Sequence, residues 1–228
     1  MPDTRTPGPR PGPPTRVARR RAVTGATLAL LLAVAGCTGS SRDRPAATRA
    51  TGDPTPAAVS GPLCATLPSG TEPGNPGSLA SQPPAQALTW IPVLATFEAA
   101  VRATGMGGEL SAPGGLTILA PTDDAFRASF STANLDELLL KDTDTLRGLL
   151  RDHLVAGARP VAELVAAGFV TTLAGTALTV TAAEPGARLA DRAETVCADY
   201  RATGARIHVI NKVLGSLPET AHEEDHAH

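Results

Sequence analysis

The stretch Leu116–Phe126, with the sequence LTILAPTDDAF, constrains the fold more than any other part of the chain. Its first five residues are apolar or β-branched, which predicts a short strand buried on both faces. Pro121 has no backbone donor and disfavours the helical conformation in the residue before it, so the strand is expected to stop there. Thr122 is then placed to cap a helix that returns Phe126 to the core.

Asp123 and Asp124, inside this stretch, allow two interpretations. Adjacent carboxylates could form a catalytic pair or bind a metal ion. They also lie in the first turn of the predicted helix, where the partial positive charge of the helix terminus stabilises acidic side chains. The helix position accounts for both residues, so we interpret them as structural.

Aromatic residues and prolines divide the chain into two parts. All six aromatic residues lie between Trp90 and Tyr200, whereas fifteen of the 21 prolines precede Ala85. The last ~140 residues therefore have the composition of one folded domain, large enough to bury ~68–70% of its unfolded surface.

The net charge of −2 conceals an asymmetry along the chain. The residues after Cys37 include 14 basic and 21 acidic side chains, which gives them a formal charge of −7. No basic patch interleaved with aromatic residues remains among them, so nucleic acid is not an expected partner.

Residues 1–36 are typical of an export signal. Four arginines between Arg16 and Arg21 precede the apolar segment Ala22–Ala35, which is too short to span a bilayer. The sequence VAGC ending at Cys37 resembles the bacterial lipobox, in which the cysteine is acylated and becomes the mature N-terminus. A signal peptide without lipid would more often end in an Ala-x-Ala site. We predict lipidation of Cys37 and leave the export route, general or twin-arginine, open.

The remaining boundaries follow from composition. Residues 37–61 are rich in Pro, Ala, Thr, Ser and Gly, so they cannot bury enough apolar surface to become ordered and are predicted to form a flexible linker. The folded domain is expected over 62–218. A disordered tail rich in His and acidic residues is expected over 219–228.

The chain has three cysteines, and an odd number in an exported protein leaves one cysteine outside any disulfide within the chain. If Cys37 carries lipid, Cys64 and Cys197 remain to form a disulfide in an oxidising compartment. The alternative is two free thiols. A C-x-x-C pair is absent from the sequence, which favours a structural disulfide over a redox centre.

Four segments carry apolar residues at helical spacing. The first is expected to begin at Thr89, and another has the spacing of a capping box at Asn134–Glu137. A short helix is expected between Pro160 and Gly168. The positions predicted to face the core are Trp90, Leu94, Phe97, Val101, Leu146, Leu149, Leu150, His153, Val161, Leu164 and Val165.

Strand patterns dominate after residue 168. Val170–Leu173 and Ala177–Thr181 flank a short loop containing glycine, which predicts a hairpin. A Glu-Pro-Gly turn follows, and Thr195–Cys197 and Arg206–Ile210 are predicted as further strands. Helices early and strands late indicate the α+β fold class.

Four segments resemble, in family order, the conserved segments of the fasciclin (FAS1) domain. Leu116–Phe126 resembles the first and Gly204–Leu214 the second, while Leu150–Gly157 lies where the family has its Tyr-His segment and Thr172–Val180 resembles the hairpin before the second segment. The resemblance covers residues 89–218. It implies a single FAS1 domain, a wedge of two small β-sheets with several α-helices packed alongside.

The cysteine positions extend the resemblance. Cys64 in the sequence GPLC and Cys197 in VC are similar to those of mycobacterial secreted or lipid-anchored FAS1 antigens, which carry one disulfide at similar places. The family implies extracellular adhesion or matrix interaction through protein contacts, without catalysis.

The Tyr-His segment departs from the family pattern. Asp152 stands where animal members have the Tyr tied to integrin binding, so we do not carry integrin recognition over. His153 matches the family position but lies on the apolar helix face, and His208 lies between two apolar strand residues. We interpret both as core histidines.

The tail contains His222–His226, HEEDH, which matches the zinc-protease pattern H-E-x-x-H. That chemistry needs both histidines on one face of a buried helix, a third ligand and a cavity that excludes water. No apolar residue in the segment could dock such a helix. A tail that weakly chelates metal through His222, His226 and His228 is the alternative to our interpretation, a solvated tail.

Together these features predict a non-catalytic adhesion or interaction module, lipid-anchored to the outer face of a bacterial cell membrane or partly released from it. We expect a monomer that binds a protein or another envelope ligand, without cofactor or metal. One alternative is a carrier that holds a hydrophobic molecule or envelope lipid in a groove. The other is an envelope hydrolase, which would need a deep polar pocket around His153.

Overall fold

The computed structural model describes residues 58–215, which contain seven α-helices and seven β-strands. The helices are α1 (Pro76–Leu79), α2 (Pro84–Thr89), α3 (Ala95–Ala103), α4 (Asp123–Ser129), α5 (Thr132–Leu140), α6 (Thr143–Arg151) and α7 (Val161–Ala167). The strands are β1 (Leu116–Pro121), β2 (Leu154–Ala156), β3 (Phe169–Thr171), β4 (Ala177–Ala183), β5 (Gly186–Leu189), β6 (Ala193–Ala202) and β7 (Ala205–Ile210). Short 3₁₀ turns cover Pro62–Thr66, Pro92–Leu94 and Met106–Ser111.

The strands form one hydrogen-bonded series in the order β2-β1-β7-β6-β5-β4-β3. β1 and β7 run parallel, and the other neighbouring pairs are antiparallel. The two ends of the series approach each other, because Val155 bridges Thr172 and the Leu173 N–H donates to the Leu154 carbonyl at 2.7 Å. The α+β prediction is confirmed, with the strands arranged as a nearly closed sheet.

β6 explains why the two expected small sheets are continuous. Its ten residues pair with β5 at the start and with β7 along the rest. The register against β7 shifts twice between Thr195 and Tyr200. Such bulges bend a strand and increase its twist, so β6 can belong to both halves of the sheet.

The predicted corner after β1 is confirmed. All six residues of β1 are buried, and the strand ends at Pro121. The Thr122 hydroxyl accepts a hydrogen bond from the Ala125 N–H and so caps α4. This side chain satisfies one of the backbone donors that a helix start leaves without a partner.

The two aspartates at this corner have structural contacts. Asp123 accepts a hydrogen bond from the Thr96 N–H at 2.7 Å, which joins the start of α4 to the start of α3. Asp124 forms an ion pair with Arg127 one turn further along α4. Both contacts agree with the structural interpretation of the pair.

Buried side chains pack on both faces of the sheet. Along β7, Ile207 and Val209 belong to the larger core, which includes residues of α2, α3 and α6, whereas Ile210 belongs to a smaller core with Leu164 of α7. The alternation follows from the two-residue period of a strand. Both faces of the central strands are therefore covered.

The prediction for Trp90 is wrong. This residue follows the end of α2 and is 45% exposed, whereas Leu94, Phe97 and Val101 are buried as predicted. Pro92 restricts the residue before it to an extended conformation, and α3 begins only at Ala95. The helical period is therefore interrupted between Trp90 and the other three positions.

One helix boundary and one strand also differ from the prediction. Asn134 does not cap its helix, because α5 begins at Thr132 and the Ser131 hydroxyl accepts the Asn134 N–H at 3.2 Å. The strand Gly186–Leu189 is absent from the sequence prediction, which has only a turn there. Its residues, Gly-Ala-Arg-Leu, have weak strand propensity, but the strand pairs with a neighbour on each side.

A disulfide joins Cys64 to Cys197, which are 133 residues apart in sequence. Beside it, the backbones of Ser60 and Ala198 exchange hydrogen bonds at 3.2 and 2.7 Å, so the start of the described chain lies along β6. Gly61 has φ 138°, and a Cβ at this position would overlap the backbone of β6. The segment is therefore held against β6 by backbone pairing, close packing and the disulfide.

None of the helices within residues 58–215 has the length and apolar character needed to cross a membrane. The predicted signal peptide, Cys37, the linker up to residue 57 and the tail with His222, His226 and His228 lie outside the described residues.

Candidate functional site

An open cleft of about 480 Å³ lies at the carboxyl ends of the parallel strands β1 and β7. Thr122 directly follows β1, and its N–H donates to the carbonyl of Ile210, the last residue of β7, at 3.0 Å. The two strand ends are therefore side by side. The lining residues are Pro62, Leu63, Thr122, Asp124, Ala128, Val196, Asn211 and Lys212.

The polar residues that line the cleft include hydrogen-bond donors. Asn211 Oδ1 accepts the Glu194 N–H at 2.8 Å, so the other amide atom, Nδ2, is a donor without a partner within residues 58–215. The Thr122 hydroxyl accepts the Ala125 N–H and donates to none of the described residues. Lys212 is exposed and forms no ion pair with another described residue. The two strand ends thus provide three unused donors.

Half of the eight lining residues are apolar. Pro62 and Leu63 belong to the first 3₁₀ turn, and Val196 belongs to β6. Leu63 and Val196 directly precede the two cysteines of the disulfide, so the disulfide holds these two parts of the wall together. Ala128 contributes the small side chain of α4.

Of the two charged residues that line the cleft, Asp124 has an ion-pair partner and Lys212 has none within residues 58–215. Asp124 is the acidic lining residue, and its carboxylate is paired with Arg127. Lys212 is one of only two lysines in the whole sequence, the other being Lys141. The two charged lining residues therefore cancel formally, but the Asp124 carboxylate is paired with Arg127, which lies outside the lining, whereas Lys212 forms no ion pair within residues 58–215.

A second exposed feature is the outer face of the β3–β4–β5 hairpins. Phe169 is 64% exposed and lies opposite Thr179, while Thr181 lies opposite Arg188. Thr171 shares this face because alternate residues of a strand point to the same side. We name Phe169, Thr171, Thr179, Thr181 and Arg188 the outer sheet face.

His153 is fully buried, which confirms its interpretation as a core residue. Its Nδ1–H donates to the Leu149 carbonyl at 2.8 Å, its Nε2 accepts the Leu214 N–H at 2.8 Å, and its ring meets Phe97 edge-on at 6.1 Å. Burial lowers the pKa of His153 to about 4. The hydrolase alternative required a deep polar pocket around His153. Because His153 has no solvent access, the structure does not meet this requirement.

His208 has an equivalent environment. Its Nδ1 accepts the Asp199 N–H at 3.1 Å, and its Nε2–H donates to the Arg159 carbonyl at 3.0 Å. Burial lowers the pKa of His208 as well. The Asp199 carboxylate, 4.0 Å away, therefore faces a neutral ring, and the core interpretation of His208 is confirmed.

Asp152 has contacts of its own. Its Oδ1 accepts hydrogen bonds from the Thr176 hydroxyl at 2.6 Å and from the Thr172 hydroxyl at 3.3 Å. Both threonines lie in the turn between β3 and β4. Asp152 therefore holds the end of α6 against this turn.

The structure brings together Cys64 and Cys197 among the predicted site residues, whereas Cys37 lies outside the described part. Within residues 58–215, no group of three or more His, Cys, Asp or Glu side chains is arranged to hold a metal ion. The sequence prediction missed both the cleft and the outer sheet face. The rarity of lysine was the one signal that could have drawn attention to Lys212.

A family model, two relatives and one solved structure are similar to this chain. The model of the fasciclin domain matches residues 92–217. The chain is 38% identical over 120 residues to "Protein sll1483" of Synechocystis, an alignment covering 52% of this chain and 65% of that protein. It is 32% identical over 126 residues to transforming growth factor-beta-induced protein ig-h3 of Oryctolagus cuniculus, covering 55% of this chain and 18% of that protein. The chain thus matches less than two thirds of either relative.

Among solved structures, the FAS1 domain pair of the insect cell adhesion molecule fasciclin I matches with a TM-score of 0.42 and 21% identity. That alignment covers 56% of this chain and 46% of the insect chain. The family model covers more than half of the chain and includes all seven strands. The chain belongs to the fasciclin domain family.

Proposed function

We propose that this chain is a monomeric fasciclin module, lipid-anchored to the outer face of a bacterial cell membrane, which binds a protein partner in the envelope and performs no catalysis. The fasciclin domain supports an adhesion or interaction role, and the VAGC sequence with its following linker supports the anchor. The linker would hold the domain away from the lipid surface. The observation that carries the binding role is the exposure of Phe169 on the outer sheet face.

Phe169 has the properties of an interface anchor. It stands on a strand of the sheet rather than on a loop, so little conformational freedom would be lost on binding. Aromatic residues are enriched in protein interfaces and often dominate their binding energy. The surrounding threonines provide hydroxyl groups for a polar rim.

Substituting Phe169→Thr is expected to weaken partner binding at least tenfold, because losing a central aromatic contact often costs about 2 kcal/mol or more. Threonine suits an exposed strand, so the fold should be retained. Proximity labelling on intact cells first identifies the proteins near the wild-type chain. Their affinity for the purified wild-type and variant chains is then measured.

Leu140→Thr is the matched control, because Leu140 is 78% exposed and lies on α5, outside the outer sheet face. This variant should bind the partner as the wild type does. Equal affinities for wild type and Phe169→Thr, or an equal loss in both variants, would contradict the role of the outer sheet face.

Substituting Cys37→Ala is expected to abolish lipid attachment, because the thiol of Cys37 is the acylation site in the proposal. Cells are grown with an alkyne-labelled fatty acid, and the label in the purified chain is measured. The double variant Cys64→Ser/Cys197→Ser should keep the label, since both cysteines lie elsewhere. Label retained in Cys37→Ala, or absent from the wild type, would refute the anchor.

A further inference from the structure

We propose that the cleft at the ends of β1 and β7 binds a single-chain amphiphile with a carboxylate end, a fatty acid being the simplest member of this class. This site is separate from the outer sheet face, and the proposal does not depend on the proposed adhesion role. It rests on the size of the cleft, on the apolar and polar side chains that share its lining, and on the hydrogen-bond donors among them that have no partner within residues 58–215.

The cleft has the size and the surface expected of a small-molecule site. Its volume of about 480 Å³ falls within the ~300–1,000 Å³ usual for ligand pockets. Such pockets combine a mostly apolar lining with a few placed polar groups. The wall made by Pro62, Leu63, Val196 and Ala128 offers the apolar part, to which an alkyl chain is complementary.

The polar groups of the lining favour an anionic ligand group. Asn211 Nδ2 and the Lys212 ammonium have no acceptor among the described residues, and the Thr122 hydroxyl proton has none either. A carboxylate accepts hydrogen bonds through two oxygens and gains further from a charged donor. All three donors belong to residues within two positions of the ends of the adjacent parallel strands, and all three residues line the cleft, which makes a single anionic group a complementary ligand.

Asp124 is the one lining group that opposes an anion. Its carboxylate is already paired with Arg127, which compensates its charge. Lys212 has no such acidic partner within residues 58–215. The local balance therefore favours a negative over a positive headgroup.

The disulfide gives the apolar wall its position. Leu63 and Val196 come from parts of the chain far apart in sequence, and each directly precedes one cysteine of the Cys64–Cys197 pair. The segment that carries Leu63 is further fixed by the backbone pairing of Ser60 with Ala198. The wall is therefore largely preformed, which lowers the cost of binding.

The test is calorimetric titration of the mature chain carrying Cys37→Ala with decanoate below its micelle concentration. Decyltrimethylammonium, with the same chain length and the opposite charge, and acetate, with the headgroup alone, are the comparison ligands. We expect saturable binding of decanoate at one site and at least tenfold weaker binding of both comparison ligands. Absence of decanoate binding, or equal binding of the cationic amphiphile, would overturn the proposal.

Lys212→Met is expected to weaken decanoate binding at least tenfold, whereas Lys141→Met should leave it unchanged. Both substitutions remove one of the two lysines and replace it with an apolar side chain of similar length, so they form a matched pair. Equal losses in the two variants would refute a specific role of the cleft. Lys212 is exposed, and its substitution should not prevent folding.

A second measurement needs no variant. Decanoate should slow the reaction of Lys212 with an amine-acylating reagent and leave Lys141 unaffected, as measured by peptide mass spectrometry. Equal reaction rates of Lys212 with and without decanoate would contradict occupancy of the cleft. Tighter binding of the tripeptide Ala-Val-Leu than of decanoate would also overturn the proposal, because the occupant would then be a peptide C-terminus.

Discussion

Replacing Cys64 and Cys197 together by serine is expected to lower the free energy of unfolding by about 5 kcal/mol. The disulfide closes a loop with a sequence separation of 133, and the chain-entropy model assigns this magnitude to a loop of that length. Small domains are stable by only about 5–15 kcal/mol, so the variant would lose much of its stability. Urea unfolding of both proteins, followed by circular dichroism, measures the difference in midpoint and slope.

The same experiment distinguishes the disulfide from two free thiols. Wild-type protein, denatured without reductant and treated with a thiol reagent, should show no reaction at Cys64 or Cys197. Reduced wild type should unfold at the same urea concentration as the double variant if the covalent bond is the source of the stability. Two reactive thiols without reduction, or a variant as stable as the oxidised wild type, would contradict this account.

The features of the fold predicted correctly from sequence have local physical causes. Thr122 caps α4 because a hydroxyl at that position reaches the backbone donors of its own first turn. The helix between Pro160 and Gly168 begins and ends at residues whose backbone preferences favour these positions. His153 is buried because it continues the apolar face of α6.

The wrong predictions arose where two local signals competed or where pairing overrode propensity. Ser131 and Asn134 are both good caps, and the structure uses the earlier one, which adds a turn to α5. Trp90 has the helical spacing to Leu94 and Phe97 in the sequence, but Pro92 interrupts the helix between Trp90 and these two residues. β5 forms from weak strand residues because β4 and β6 offer partners on both sides.

The cleft could not be predicted, because its lining residues come from distant parts of the chain. Pro62 and Leu63 lie near the start of the domain, whereas Asn211 and Lys212 lie near its end. Only the closure of β6 against β7 and against the N-terminal segment brings them together. Similarly, the exposure of Phe169 depends on which face of the hairpin the helix α7 covers, and the strand pattern alone does not determine this.

Protonation of His153 requires the loss of an interaction inside the core. In the neutral ring, Nδ1–H donates to the Leu149 carbonyl and Nε2 accepts the Leu214 N–H. A proton added at Nε2 would point at the Leu214 N–H. The new Nε2–H and the Leu214 N–H would then both lack an acceptor. Since the ring is fully buried, the resulting charge would also lie out of contact with water.

Acidification is therefore expected to destabilise the domain through His153. The pKa of His153 is lowered to about 4 in the folded state, against about 6.5 in the unfolded chain, so the unfolded state binds the proton more readily. The neutral ring contributes its full stabilisation above pH 6.5. This stabilisation is lost as the pH falls towards 4, and the loss of free energy of unfolding reaches about 3 kcal/mol at pH 4.

Urea unfolding of the wild type and of His153→Gln is measured at intervals from pH 7.5 to pH 4. Glutamine can accept and donate a hydrogen bond but does not titrate, so the stability difference between the two proteins should shrink or reverse as the pH falls. A difference that stays constant over this range would show that His153 is not the titrating group; His208, Asp199 and the remaining acids are common to both proteins and cancel in the comparison.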